Sequence, residues 1–376
     1  MPENLLTVNA GSSSIRLMLY RHGTGKLVAQ ASHHDSAAPD GAAELLTRFL
    51  SEQDAAPVDM VVHRVVHGGD RGAGAHRLDA EVERTIERYA PLAPLHNPAA
   101  LAWVRSCREV LGDIPGFAVF DTSLYRDLPA VARTYALPHV LTAAHGLRRY
   151  GFHGIAHEAM WHRWRTIAPT GGERVISLQL GSGCSITALR NGRAVDTSMG
   201  FSPLEGLVMA TRSGDVDPGL LLHLQREHGL PPERLETMLN RESGLLGVSG
   251  ISGDMRELIA ADTEAARLAL DLYAYRARKY IGAFLTVLGG ADAILFGGGV
   301  GEHQPQMRAA ILEGLEWAGI DLDRVANEAA TGGESRISTP DSGIEVRVIE
   351  VDESEPLARA ALAAYEAEDK QGRNGA

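Results

Sequence analysis

Short apolar runs broken by glycine and serine set the rhythm of this chain. Leu5–Val8 reads as a strand ended by Asn9-Ala10-Gly11. After a serine-rich turn, Ile15–Tyr20 reads as a second strand, and His22-Gly23-Thr24-Gly25 turns the chain into a third, Lys26 to Ala31. The same grammar returns about 170 residues later. There Val175–Leu180 is a strand, Gly181-Ser182-Gly183 a small-residue turn, Ser185–Leu189 a strand, Asn191-Gly192 a hairpin turn and Ala194–Asp196 a strand. Two copies of strand, turn, strand, turn, strand point to two related halves facing each other across a cleft.

A third glycine-rich element, Ala293–Glu302, is a buried strand running into a turn at 297–301. Met60–Val62 reads as a further strand, and Phe117–Phe120 is another apolar stretch. Helical patterns cover 42–52, 79–89, 98–111, 154–167, 218–228, 263–288, 304–317 and 354–367, and the polar tail after Glu366 is expected to fray. Strands mixed with helices of this length indicate an α/β fold with helices packed on sheets.

A chain of 376 residues is too long for one small core and suggests two domains. A net charge of −12 disfavours a nucleic-acid surface, which needs clustered Lys and Arg. It leaves room for a phosphate-bearing substrate, because one site needs only a few placed cations. Cys107 and Cys184 are the two cysteines, far apart in sequence, and are expected to be free thiols of a reducing compartment. No basic segment followed by an apolar core opens the chain, and no apolar run approaches the roughly 20 residues of a membrane span. The expectation is a soluble cytoplasmic protein that binds neither nucleic acid nor membrane.

Small-residue turns hold phosphate through backbone N–H groups, because a Cβ would block close approach. Residues 9–14, 181–185 and 297–301 are three such turns after strands, which favours nucleotide phosphate over three hairpins. None is a G-x-x-x-x-G-K-[ST] loop or a G-x-G-x-x-G fingerprint. Arg64, in His63-Arg64-Val65-Val66-His67, and Arg212, in Thr211-Arg212-Ser213-Gly214-Asp215-Val216-Asp217, offer two-pronged hydrogen bonding to carboxylate or phosphate. The alternatives are an ion pair with a nearby acid for Arg64, and a local bond to Asp215 or Asp217 for Arg212. His96, His153 and His157 lie in or beside turns, where an imidazole donates to a phosphoryl oxygen or merely caps. His153 and His157 stand four apart, but the H-E-x-x-H metal pattern is absent. Asp121, directly after an apolar stretch, suits Mg²⁺, a catalytic side chain or a helix cap equally.

Together these segments resemble the acetate kinases, members of the acetate and sugar kinase/Hsp70/actin superfamily. The likeness runs from Asn9–Ser14 to Gly299-Val300-Gly301-Glu302 and is most specific in Val195–Met209 and the Thr211–Gly219 loop. It implies two duplicated ribonuclease H-like β/α domains, the actin-like ATPase fold, with the active site in an interdomain cleft. The first domain would be 1–122 plus 354–376, closed by the C-terminal helix. The second, 123–353, would bind nucleotide, and the protein would be a homodimer. The implied reaction is reversible transfer of the ATP γ-phosphoryl group to acetate, direct and in line, with Mg²⁺ or Mn²⁺ and with ADP as product. Arg64 and Arg212 would flank the transferred group, His153 and Gln179 would meet its oxygens, and Asp121 would act beside Glu353 and Asn9 in organising the metal. Val66, Leu95, His96, Phe152 and Pro203 would receive acetate. Ser12, Arg16, Gly181, Ser182, Gly183, Asp254, Arg256, Gly298, Gly299 and Gly301, with Asn9, would hold the nucleotide.

Three departures from the family pattern stand out. The usual His-Leu-Gly-Asn-Gly is Gln179-Leu180-Gly181-Ser182-Gly183, which removes a charge-assisted donor and predicts weaker catalysis or a changed phosphoryl donor. The usual Thr-Asn-Glu-Glu-Leu is Val351-Asp352-Glu353-Ser354-Glu355, and the usual Lys after the serine turn is Arg16. Alternatives are a propionate or butyrate kinase, a pyrophosphate-using relative, and a non-catalytic nucleotide-binding homologue. The small Gly299-Val300 pair, which leaves room for adenosine, favours ATP.

Overall fold

A computed structural model describes residues 2–11, 14–21, 26–34, 41–52, 57–94 and 96–374. The chain divides into two compact units. One comprises Met1–Arg126, Phe152–Ile155 and Asp352–Ala376, the other Asp127–Gly151 and Ala156–Val351. Phe152 belongs with the first because its carbonyl accepts the Tyr125 hydroxyl at 2.8 Å.

The first unit holds strands β1 (Asn4–Ala10), β2 (Ser14–Arg21), β3 (Lys26–His34), β4 (Met60–Val65), β5 (Ala75–Arg77) and β6 (Gly116–Phe120) in the order β3-β2-β1-β4-β6-β5. The second holds β7 (Arg174–Leu180), β8 (Cys184–Arg190), β9 (Arg193–Thr197), β10 (Ala293–Gly297), β11 (Ser335–Arg336) and β12 (Glu345–Val348) in the order β11-β12-β10-β7-β8-β9. Both sheets have the same order and the same strand directions, with three central parallel strands and antiparallel partners outside. The likeness reaches individual residues. At the first turn Ala10 pairs with Ile15, and in the second unit Leu180 pairs with Cys184. The register then shifts between Leu19 and Tyr20 in one sheet and between Ala188 and Leu189 in the other, each four residues past that first pair. Asn9 and Gln179 are therefore equivalent positions.

Burial on both faces explains the near-continuous apolar strands. Leu6, Val8 and Ala10 of β1 pack with Val61, Leu46, Phe49, Trp103 and Cys107, so this face is covered by the helices Ala42–Glu52 and Asn97–Leu111. Leu5, Met60, Val62, Phe117 and Val119 turn the other way, against Leu357, Ala358 and Ala361 of the C-terminal helix. In the second unit the helix Glu264–Leu288 lies along β7, β8 and β9. Its start is capped by Thr263, whose Oγ1 accepts from the Ala266 amide at 3.1 Å, and Gly289 ends it.

Some elements differ from expectation. The turn at 297–301 is a short helix, Gly298–His303. The single helix over 304–317 is Pro305–Leu312 followed by a 3₁₀ turn at Glu316–Ala318, because Gly314 interrupts it. The C-terminal tail does not fray at Glu366, and its helix runs Ser354–Asn374. Cys107 and Cys184 are free and buried. Among the described residues no helix is long and apolar enough to cross a membrane.

Candidate active site

Parallel strands bring side chains to one edge of the first sheet. Asn9 lies near the end of β1, Arg64 near the end of β4, and Asp121 directly follows β6. The carboxyl ends of parallel strands are where open α/β sheets place their ligands. Arg64 ties this edge together. Its Nε donates to both Asp121 oxygens at 3.1 and 3.2 Å, Nη2 to Oδ2 at 2.6 Å and Nη1 to Asn9 Oδ1 at 3.1 Å. Asn9 in turn donates to Glu353 Oε2 at 2.7 Å, and that oxygen lies 3.6 Å from Arg64 Nε. The neighbouring acid, Asp352, accepts from the Ser354 amide at the start of the C-terminal helix instead.

Burial sets the electrostatics. It pushes the Asp121 carboxyl up to about 6; Arg64 pulls it down and Glu353 adds to the rise. Burial alone would lower Arg64, but Asp121 and Glu353 outweigh it and hold the guanidinium above its ordinary value. One cation thus faces two carboxylates, a surplus of negative charge with hard oxygen donors. That donor set suits Mg²⁺, which binds through one or two carboxylates and keeps water and phosphate as its other ligands.

The ion pair given as the alternative for Arg64 is present, with Asp121. The cap offered for Asp121 is not, since among the described residues no side chain caps the 3₁₀ turn Ser123–Tyr125 that follows. Beside this edge Val66, His96 and Phe152 are buried. His67 stacks on Tyr89 at 4.6 Å and meets Phe152 edge-on at 5.3 Å. His153 has a left-handed backbone (φ 60°), costly for a non-glycine residue and held by what surrounds it. Directly after it the Gly154 amide donates to the Asp121 carbonyl at 2.9 Å. Arg16 is exposed on β2, opposite Asn9 in register. Ser12 and Leu95 lie outside the described residues.

In the second unit Gln179 occupies the place of Asn9, pairs with Gly297, and has a buried Oε1 without a hydrogen-bond partner among the described residues. Gly298 (φ 75°) begins the short helix there; a Cβ on it would lie 2.7 Å from the Leu180 carbonyl and 2.9 Å from Gln179 Nε2. Gly301 lies in the same helix, and Gly299 has open space around it. The Gly181-Ser182-Gly183 turn is pinned by the Ala210 amide, which donates to the Ser182 carbonyl at 3.0 Å. That bond ties it to the loop carrying Arg212. Arg212 is buried and donates to the Pro203 carbonyl at 3.0 Å, so these two residues do come together. Asp215 accepts from the Gly206 amide and the Tyr280 hydroxyl, both at 2.8 Å, while Asp217 caps the helix Pro218–His228. Asp254 and Arg256 pair with each other at 2.6 Å at the start of the helix Met255–Ala261.

Several supporting residues were not singled out by sequence reasoning. Asn97 clamps the chain at His67 by accepting from its amide and donating to its carbonyl, each at 3.0 Å. Glu302 accepts from the Gly298 amide at 2.9 Å and the Val351 amide at 3.2 Å. Arg308 is fully buried and donates to the carbonyls of Gly301, Glu302, Asn327 and Ala330. His157, noted only for its spacing from His153, lies between Ser177 Oγ at 2.8 Å and Ser185 Oγ at 2.7 Å. The one available signal was a charged residue inside an otherwise apolar or glycine-rich run, as at Glu302.

The sequence model of the Acetokinase family matches residues 23–359. Acetate kinase of Solibacter usitatus is 46% identical over 326 residues, covering 85% of this chain and 77% of its own length. Among solved structures, Porphyromonas gingivalis acetate kinase superposes with a TM-score of 0.86 at 36% identity, over 96% of this chain and 99% of its own. A propionate kinase from Francisella tularensis gives 0.86 at 31% identity, over 95% and 98%.

Proposed function

Since the chain belongs to the Acetokinase family and has the duplicated, actin-like α/β fold, we propose that it transfers the γ-phosphoryl group of ATP reversibly to acetate, giving acetyl phosphate and ADP. The geometry that carries this reading is the fork of Arg64 on Asp121 at the strand ends, with Asn9 and Glu353 attached.

Two anions must meet in this reaction, so the work is positioning and charge stabilisation rather than proton transfer. A carboxylate oxygen is already nucleophilic, and no general base is needed. Arg64 and Arg212 hold the acceptor carboxylate and the equatorial oxygens of the transferring group, Asp121 fixes the plane of the Arg64 guanidinium, and His153 and Gln179 donate to phosphoryl oxygens. Transfer is in line, with no phosphorylated enzyme. Val66, Leu95, Phe152 and Pro203 receive the acetate methyl group, and His96 is a further acetate-binding residue. Ser12, Arg16, the 181–183 turn, Asp254, Arg256 and the Gly298–Gly301 segment hold the nucleotide. Asn9 and Glu353 would hold Mg²⁺ or Mn²⁺, beside Asp121. When bound, the metal supplies charge neutralisation at the phosphate oxygens.

A homodimer is supported by the helix Pro218–His228, which buries none of its residues and exposes Leu220 and Leu222. The two free buried thiols support a reducing, cytoplasmic setting.

Acyl hydroxamate formation with acetate, propionate and butyrate, using ATP and then pyrophosphate as donor, tests the proposal. Acetate with ATP is expected to give the highest kcat/KM. One methylene shifts selectivity by only about 1–3 kcal/mol, so measurable turnover of propionate is expected as well. Absence of product with every pairing sinks the catalytic reading, and product with pyrophosphate alone reassigns the donor.

A further inference from the structure

Phe296 and Val348 are the last register pair of β10 and β12, and one more backbone bond follows, from the Ile349 amide to the Phe296 carbonyl at 2.8 Å. Bonds of a parallel ladder are evenly spaced at every second residue, so the next would join the Val351 amide to the Gly298 carbonyl. By Gly298, however, the chain has left the sheet for the helix Gly298–His303. The Val351 amide donates instead to Glu302 Oε1 at 3.2 Å, and the Gly298 amide donates to the same oxygen at 2.9 Å. A side-chain carboxylate takes the place of the missing ladder bond. It ties the start of its own helix to the segment that continues β12.

This helix needs such a tie. Three of its six residues, Gly298, Gly299 and Gly301, are glycine, among the poorest helix formers. Its far end is held by Arg308, whose Nη1 donates to the carbonyls of Gly301 at 2.8 Å and Glu302 at 3.1 Å. Between the two fastenings a Cβ on Gly299 would meet nothing within 4 Å, so a ligand finds room to approach the backbone there. Glu302 is buried, which keeps water from competing for its two amides. Both bonds fall on one oxygen. The arrangement therefore uses a well-placed acceptor rather than a charge, and a glutamine carries an acceptor of the same reach.

We propose that Glu302 is a positioning residue for the nucleotide, an inference that rests on the reading in which the Gly298–Gly301 segment holds ATP. It acts through the backbone. By fixing the Gly298 amide beside Val351, it sets the direction in which Gly299 and Val300 leave the sheet, and so presets the chain that the nucleotide meets. Without the tie this glycine-rich segment samples other conformations, and nucleotide binding bears the cost of ordering it.

The test measures ADP affinity by titration calorimetry, and the KM values for ATP and acetate by hydroxamate formation, on the full-length protein and three variants. Glu302→Ala is expected to weaken ADP binding and raise the KM for ATP about tenfold, the value of one lost hydrogen bond, with the KM for acetate unchanged. Glu302→Gln keeps the acceptor and should match the wild type in both nucleotide readouts. Glu302→Asp keeps the charge but draws the oxygen back by one methylene, and should behave like Glu302→Ala. If Glu302→Ala does not fold, Glu302→Asp decides. A glutamine variant as impaired as the alanine variant overturns the proposal, because charge would then be what matters. A folded Glu302→Ala or Glu302→Asp with wild-type ADP affinity, even if less stable, also overturns it and leaves Glu302 a structural residue only. A wild-type protein that neither binds ADP nor forms product overturns the nucleotide reading itself, and this proposal with it.

Discussion

Arg64 Nη2 lies 2.6 Å from Asp121 Oδ2, and the same guanidinium reaches both Asp121 oxygens through Nε. Asp121 has no access to solvent, so it acts by fixing the plane of the arginine. Asp121→Asn keeps the shape but loses the charge, and kcat is expected to fall about 10²-fold with a smaller change in KM, in the range for loss of a preorganised electrostatic partner. Arg64→Lys keeps a cation but not the fork, so it should fail to restore turnover. Arg64→Ala leaves the buried Asp121 carboxylate unpaired and should cost about 3–5 kcal/mol of stability by denaturant titration. An Asp121→Asn enzyme with wild-type kcat would show that the fork does not matter to catalysis.

Gly154 reports on the same edge. A Cβ added there would lie 2.3 Å from the Asp121 carbonyl oxygen, which is backbone and cannot swing aside. Gly154→Ala should therefore push the start of its helix away and break the 2.9 Å bond to that carbonyl. The expected cost is about 1–3 kcal/mol, with a fall in kcat because His153 is the preceding residue. A variant equal to wild type in both melting and turnover would mean that the chain relaxes without disturbing Asp121.

Acid should unfold the protein from about pH 6.5 downward. Burial pushes His157 down to about 3, and His63 falls to a similar value. Unfolded histidine titrates near 6.5, so the unfolded chain takes up protons that the folded one refuses. Stability from these two rings is present above about 6.5 and is lost as pH falls toward 3. Asp121, raised to about 6, works the other way, because the folded form holds a proton that the unfolded form releases between about 6 and 3.8. Between pH 4 and 6 these three groups leave roughly one net proton taken up on unfolding, or about 1.4 kcal/mol per pH unit. His63→Leu should flatten that slope, read from denaturation midpoints across the range. An unchanged slope would mean that His63 is not buried neutral.

Local chemistry explains which parts of this architecture are visible in the sequence. The meander of β7, β8 and β9 is legible because alternation, a glycine turn and Asn191-Gly192 lie within one short stretch, and both turn residues adopt positive φ as that dipeptide favours. The helix at Gly298–His303 is not legible, because glycine disfavours helices and the bond that stabilises its start comes from Glu302. The site is hidden for a related reason. Asn9 and Glu353 are 344 positions apart, and no periodicity links them. Only the likeness to a family joined those positions beforehand. Asn97, Glu302 and Arg308 bond backbone groups of His67, Val351 and Ala330 in other segments, and composition carries no sign of such partners.

Gln179 is where this chain departs most from what its equivalent in the first half achieves. Asn9 has a partner for each end of its amide, Arg64 on Oδ1 and Glu353 on Nδ2. Gln179 has a buried Oε1 with none among the described residues, and its Nε2 fills the space beside Gly298. An unpartnered buried acceptor costs about 1–3 kcal/mol, and a neutral amide donates more weakly to a phosphoryl oxygen than an imidazolium. Gln179→His should therefore raise turnover with ATP, by about tenfold if one charge-assisted bond is gained. Gly298→Ala should do the reverse, since its φ of 75° and the Leu180 carbonyl at 2.7 Å leave no room for a methyl group. The assay is steady-state hydroxamate formation on both variants, with circular dichroism to verify folding. A well-folded Gln179→His enzyme that turns over more slowly would sink the view that Gln179 is a handicap. It would mark the glutamine instead as fitted to this protein's own phosphoryl donor, and the pyrophosphate arm of the assay would then show whether that donor has changed.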